Sequence, residues 1–354
     1  MSGTLNNEQQ QGGQINLSGK QLGIILILLM GLLSLPFVFF YSSQNAEEVN
    51  PANQLPVDYG KSGVSKYWIA PLVDTIYDDL VKEHIVYGKD LVAHTAKYFG
   101  PNGSIGKTTN GLNCQNCHLQ AGTGVFANNY GAVASLYPKF RARSGKVESI
   151  NKRVNDCFER SLNGKALDTT GHEMVAIVAY INFLGSNVPK GEKASGSGFK
   201  ELAYINRAAD PVKGKIVYAT KCQSCHQSNG EGLLNVEKTE FAFPALWGKQ
   251  SYNDGAGLYR LSNFAKFVKY NMPQGTTFEN PQLTDEEAWD VAAFVNAQKR
   301  PHIKVPADWP DKTKKPIDHP FGPYADQFTE QQHKFGPFQP IEAATKNKPT
   351  LLNK

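Results

Sequence analysis

From Leu22 to Tyr41 the chain runs for 20 residues without a charge, directly after Lys20. A helix needs about 20 apolar residues to cross a bilayer, so this stretch predicts a membrane span. A cleaved leader is the rival reading, but its apolar region is typically about 7–15 residues and ends in a small-residue cleavage site. Asn45-Ala46 is a poor match to such a site, and the run therefore reads as an uncleaved anchor. Residues 42–63 are polar, include Pro51 and Pro56, and predict a tether. A first domain is expected over 64–189, a Gly/Ser/Lys linker over 190–200 and a second domain over 201–300. Beyond Pro301 no helical period is visible, yet Phe321, Tyr324, Phe328, Phe335 and Phe338 are too many aromatics for a disordered tail. The segment 301–354 is therefore expected to lie extended over the surface.

The two domains repeat one pattern. Thr170-x-x-Glu173 followed by Ala179-Tyr180-Ile181-Asn182 matches Thr284-x-x-Glu287 followed by Ala293-Phe294-Val295-Asn296 at a constant offset of 114. In each, the T-x-x-E spacing predicts a capping box at the start of a closing helix. Gly88-Lys89 and Gly214-Lys215 sit on the predicted opening helices.

Composition fits globular domains, with 40% apolar residues and 11% aromatics. The net charge is +5, and the stretch Lys139 to Lys165, with eight Lys/Arg against three Asp/Glu, holds a surplus equal to that of the whole chain. With no interleaved aromatics or nucleic-acid motif nearby, this focus of charge points to a small anion or an acidic partner, not to nucleic acid.

Four of the five cysteines lie in two C-x-x-C-H motifs, Cys114-Gln115-Asn116-Cys117-His118 and Cys222-Gln223-Ser224-Cys225-His226. This is the attachment signature of c-type haem: Cys114, Cys117, Cys222 and Cys225 form the thioethers, and His118 and His226 are the proximal iron ligands. Two covalent haems are expected. Pro138 and Pro244 follow their haem histidines by 20 and 18 residues. The order of opening helix, haem motif, proline loop, ligand loop and closing helix resembles a small class I cytochrome c in each half. The expected fold is thus all-α, two such domains in tandem behind a transmembrane helix. Thioethers form on the outer side of the bacterial inner membrane, so everything after Tyr41 is expected in the periplasm and the residues before the run, 1–21, in the cytoplasm, as Lys20 also suggests.

The halves differ at the distal ligand. In the second, Met272 in Asn271-Met272-Pro273 lies 12 residues before Thr284, where cytochromes of this type carry their distal methionine, and His/Met ligation suits an electron-transfer haem. The matching place in the first half, 13 residues before Thr170, holds the fifth cysteine, Cys157. Its thiolate would make that haem harder to reduce. His84, His94 and His172 are the competing ligands. A helix is predicted from Ile150 to Leu162, stopped by Asn163-Gly164, and on it Arg153, Cys157 and Ser161 share one face. Arg141 and Arg143 arrive from the preceding loop. Cations and a hydroxyl gathered beside a thiolate both stabilise it and suit a small oxyanion.

At these residues the chain resembles the thiosulfate dehydrogenase (tetrathionate-forming) family of di-haem cytochromes. The stretches that carry the likeness are Arg141-Ala142-Arg143-Ser144-Gly145, the helix from Ile150 to Gly164 with its Asn155-Asp156-Cys157 core, and Gln332-His333-Lys334-Phe335-Gly336-Pro337-Phe338. The resemblance spans about residues 67–341. It implies oxidation of two thiosulfates to tetrathionate, or the reverse, at the Cys-ligated haem, with Arg143, Arg153 and Ser161 on the substrate and another cytochrome or membrane-bound protein as redox partner. Some members carry Lys just before the distal methionine; here that residue is Asn271, and the nearest lysine is Lys269. Two rivals stand beside this reading. A pure electron-transfer di-haem cytochrome should have Met or His in both distal places and no arginine cluster. The Cys-haem subunit of a sulfur-oxidising multienzyme system should transfer sulfur to a carrier and require a partner subunit.

Overall fold

The structure is a computed structural model and describes residues 66–346. Its principal helices, in chain order, are α1 (Asp79–Ala93), α2 (Thr95–Phe99), α3 (Ile150–Arg160), α4 (His172–Leu184), α5 (Pro211–Lys221), α6 (Leu261–Asn271), α7 (Asp285–Ala297), α8 (Glu330–Phe335) and α9 (Gln339–Lys346). Two small antiparallel hairpins pair β1 (Lys139–Arg141) with β2 (Lys146–Glu148), and β3 (Leu233–Leu234) with β4 (Phe241–Phe243). The expected anchor at residues 22–41 lies outside the described residues. Among those described, no helix is long and apolar enough to cross a membrane.

Each half is built on one crossing of an opening and a closing helix. At the α1–α4 crossing a Cβ on Gly88 would stand 2.0 Å from the Ala176 carbonyl oxygen. At the α5–α7 crossing a Cβ on Gly214 would stand 1.9 Å from the Asp290 carbonyl oxygen. The paired glycines are thus the points where two helix backbones touch. Around the first crossing Leu91, Val92, Ile177, Tyr180 and Ile181 are buried, and around the second Val217, Tyr218, Trp289, Val291 and Val295.

Local chemistry sets the helix ends. Asp78 caps α1 by accepting from the Val81 N–H, Ser149 caps α3 by accepting from the Lys152 N–H, and Asp210 caps α5 ahead of Pro211 in the first turn. The Thr284/Glu287 capping box at α7 forms with both reciprocal bonds. Its expected counterpart does not: α4 begins after Gly171, and Thr170 is held instead by the Asp168 carboxylate through its N–H and its hydroxyl. Asp168 intercepts the threonine before it can cap.

The segment after Pro301 is surface-laid but contains α8 and α9, helices of six and eight residues. Phe338 packs on Tyr204 and Trp289, Ile341 is fully buried, and the Ala209 N–H donates to the Phe335 carbonyl. Asp318, 1% exposed, accepts from Arg260 and from the N–H and hydroxyl of Ser262, tying this segment to the start of α6. The two halves also interlock. Asn253 donates from its side chain to the Glu159 carbonyl at 2.8 Å and from its backbone to the Arg160 carbonyl, satisfying the C-terminal end of α3 from the other half.

Candidate haem and substrate site

In the first half, His118 Nδ1–H donates to the Asn128 carbonyl at 2.5 Å, which fixes the tautomer with Nε2 free to ligate. Burial, with a smaller push from Arg153, lowers the imidazole to about 4 and keeps it neutral. His118, Cys114 and Cys157 line one cavity whose wall includes Val92, Ile177 and Ile181. In the second half, His226 Nδ1–H donates to the Pro244 carbonyl at 2.8 Å. His226, Cys222 and Met272 line a second cavity walled by Phe264, Phe267, Val291 and Val295; Cys225 lies beside it in the motif turn. Each cavity therefore offers a neutral imidazole with its other nitrogen anchored, a motif thiol, a sulfur side chain and an apolar lining. That donor set fits covalent haem in both halves. Cys117 and Asn116, from the first motif, line the second cavity, so the two haem sites share a wall.

The two halves anchor their imidazoles differently: Pro244 supplies the carbonyl for His226, and Asn128, ten residues after His118, supplies it in the first half. Neither His84, His94 nor His172 lines a haem cavity. His94 bonds Glu240, His172 stacks on Tyr87, and His84 bonds the Leu80 carbonyl.

Helix α3 organises the first site. Arg153 Nη1 donates to Cys157 Sγ at 3.3 Å. Arg153 is held above its ordinary pKa, with Cys157 the largest cause. Asn155 clamps the loop after α3 by donating to the Leu167 carbonyl and accepting from its N–H, and Lys152 pairs with Asp156. The helix stops as expected: Asn163 has φ +46°, and the Gly164 N–H returns to the Phe158 carbonyl.

Arg141 and Lys139, from the β1–β2 hairpin, and Lys193 line the same cavity as Cys157. Arg143, in the hairpin turn, stands beside Arg153 and Arg160, and burial together with these two neighbours lowers it to about 10. It lines an adjoining cavity, with its Nε 4.0 Å from Asp308. Arg160 makes a bidentate pair with Asp308 at 2.9 and 2.9 Å, and Trp309 N–H donates to the Arg143 carbonyl. Ser161 is the C-cap of α3, and its side chain lies outside the cavity lining. Met272 is the C-cap of α6. The neighbouring Asn271 donates to the Phe267 carbonyl at 3.1 Å, while Lys269 is tied down by the Leu283 carbonyl and Asp285.

Asn128, Lys193, Asp308 and Trp309 were not anticipated. Lys193 lay in an apparent linker, and Asp308 meets Arg160 across 148 residues, a pairing without local signal.

Comparison with known proteins agrees with this architecture. Residues 105–189 match the SoxA/TsdA cytochrome c domain, and residues 211–299 match cytochrome c. The chain is 38% identical over 245 residues to thiosulfate dehydrogenase of Psychrobacter arcticus, which covers 68% of this chain and 71% of that protein. It is 35% identical over 240 residues to thiosulfate dehydrogenase of Allochromatium vinosum, 67% of this chain and 85% of that protein. The solved structure of thiosulfate dehydrogenase (TsdBA) from Marichromatium purpuratum aligns with TM-score 0.61 at 33% identity, over 66% of this chain and half of that one.

Proposed function

Since the chain belongs to the thiosulfate dehydrogenase family, we propose that it joins two thiosulfates into tetrathionate beside Cys157 and sends two electrons out past Met272. It is an oxidoreductase acting on thiosulfate, and it carries two covalently bound c-type haems. When bound, the haems accept and pass single electrons; His118 with Cys157 and His226 with Met272 are the side chains that would hold the two irons.

The chain's own part is chiefly electrostatic. Bringing two dianions to about 4 Å at an effective dielectric of 20 costs on the order of 16 kcal/mol, four times the unit-charge value. Arg153, with Arg143 beside it and Lys139, Arg141 and Lys193 in the cavity wall, supplies the opposing charge. Arginine's planar fork suits the oxygens of a sulfur oxoanion. The Arg153 donation to Cys157 Sγ places a cation on the sulfur and keeps it oriented. Ser161 ends this row at the C-cap of α3 with its side chain outside the cavity lining, so the resemblance alone assigns it to substrate. Joining the two substrates forms one S–S bond, 2 S2O3(2−) giving S4O6(2−) and two electrons, with no proton to move; the site accordingly needs cations and no general base.

Electrons leaving the second site require an external acceptor, and another cytochrome is the partner class this reading favours. The same reading places the activity in the periplasm, held to the inner membrane by residues 22–41.

The observation that carries this proposal is the 3.3 Å Arg153–Cys157 contact in a cavity shared with His118. It is tested by anaerobic assay of the purified holoprotein with thiosulfate and an artificial one-electron acceptor. Tetrathionate formed at one mole per two electrons supports it; haems that cycle without sulfur product overturn it. The same assay with tetrathionate and a reduced donor measures the reverse reaction.

A further inference from the structure

A third cavity, of about 440 Å³, lies where the segment 302–323 meets the second half, and of its lining residues the chemistry above uses only Arg143. Lys304, Lys312, Lys315 and two arginines, Arg143 and Arg260, line it, with two carboxylates, Asp254 and Asp308; Arg260 is matched by Asp318 just behind it, so the lysines carry the surplus. Those carboxylates already have partners: Asp308 takes Arg160 in a bidentate pair, and Asp254 takes His302 at 2.6 Å. The lysines are held by main-chain carbonyls. Lys312 Nζ donates to Trp309, and Lys315 Nζ donates to Phe321 and Pro323. A carbonyl satisfies a donor without cancelling its charge, and burial followed by Lys312 lowers the pKa of Lys315.

Two N–H groups on residues of this wall are buried without a hydrogen-bond acceptor, Trp309 Nε1 and Arg143 Nε, the latter only 4.0 Å from Asp308 as a loose ion pair, and Trp309 itself is 7% exposed. An unmet buried donor costs about 1–3 kcal/mol, and native structures seldom leave one. Two orphan donors beside uncompensated cations in one concavity describe an anion's binding partners.

We propose that this cavity is a second oxyanion site, taking a small dianion of the sulfate and sulfur-oxoanion class. Trp309 Nε1–H and Arg143 Nε–H are the directed donors, and Lys312 and Lys315 supply the countercharge. An anion here also relieves the crowding of Arg143 against Arg153 and Arg160, which couples this site to the one at Cys157. The proposal does not depend on the thiosulfate reading, because the donors and charges invoked act on any such anion whether or not Cys157 supports turnover.

The test is calorimetric titration of the oxidised holoprotein with sodium sulfate at low ionic strength, comparing wild type, Trp309→Phe, Lys312→Gln/Lys315→Gln and Cys157→Met. Wild type should show saturable binding. Trp309→Phe and the double lysine variant, each checked for a native haem spectrum and melting point, should weaken it by about tenfold or more, the loss of one charged hydrogen bond. Cys157→Met should bind sulfate like wild type. No saturable binding in wild type, or unchanged binding in folded Trp309→Phe and lysine variants, overturns the proposal. Loss of binding in Cys157→Met also overturns it, since the ion would then sit at the first site. If either altered variant fails to fold, a selenium peak between Trp309 and Arg143 in selenate-soaked wild-type crystals decides the question, and its absence counts against the site.

Discussion

Arg153 Nη1 donates to Cys157 Sγ at 3.3 Å from one turn earlier on the same helix. The spacing of four residues gives this contact without help from any other element, and both residues are half-buried, so water screens it only in part. Arg153→Met keeps the length of the side chain and removes the charge. A hydrogen bond to a charged group contributes about 1.5–3 kcal/mol, so kcat/KM for thiosulfate should fall by roughly ten- to 150-fold. Arg153→Lys should recover only part of this, because it keeps the charge and loses the fork. Steady-state thiosulfate oxidation by both variants checks the order.

The two helix crossings make a second prediction. A methyl at Gly88 or Gly214 meets a backbone carbonyl at 2.0 or 1.9 Å, where no side chain can rotate away. Gly88→Ala and Gly214→Ala should each destabilise the holoprotein by at least the roughly 1–3 kcal/mol of core overpacking. Chemical denaturation followed at the haem bands measures this. Gly191→Ala, with nothing within 4 Å of its added Cβ, is a control for backbone strain alone, since its φ is +87°.

Arg160 and Asp308 join α3 to the C-terminal segment through two bonds of 2.9 Å, with both side chains largely buried. Asp308→Asn leaves the Arg160 charge without its counterion and should cost on the order of 3 kcal/mol. Because Asp308 also lies 4.0 Å from Arg143, the same change should raise KM for thiosulfate more than it lowers kcat. Equal loss of both would argue that Arg143 does not depend on Asp308.

How far the sequence reveals this architecture depends on the range of each interaction. The haem motifs, the Arg153–Cys157 row and the Asn163-Gly164 stop are local patterns, and the structure shows the helix and stop where spacing puts them. The internal repeat identifies Gly88 and Gly214 as equivalents, although their backbone contacts become visible only when the helices cross. Local inference fails where a neighbour competes. Asp168 takes Thr170 from its capping box. The β1–β2 hairpin, with three residues to a strand, is too short to show alternation, and α8 and α9 are too short to show a helical period. Asp308 and Trp309 reach the arginines only through tertiary structure.

His319 gives a pH-dependent signature away from the haems. Burial, then Lys315, and more weakly Arg143 and Arg260 hold its imidazole down to about 4, while the Phe321 carbonyl pulls the other way. In the unfolded chain it titrates near 6.5. As pH falls from about 6.5 toward 4 the unfolded state takes up a proton that the folded state refuses, so stability is lost across that window. His319→Gln should flatten the stability profile between those pH values and leave it unchanged above 7. Urea denaturation at several pH values provides the comparison.

On the proposed function, Cys157 is what makes the first haem site a site of thiosulfate chemistry. Cys157→Met gives the first cavity the sulfur side chain that Met272 gives the second, and the motif cysteines and both histidines remain. The decisive measurement is anaerobic thiosulfate oxidation by this variant with an artificial acceptor, at full haem content. Both haems should stay attached and reducible while tetrathionate formation is abolished. Tetrathionate formed at the wild-type rate would contradict this, leaving Cys157 as a half-buried side chain beside a site whose chemistry lies elsewhere.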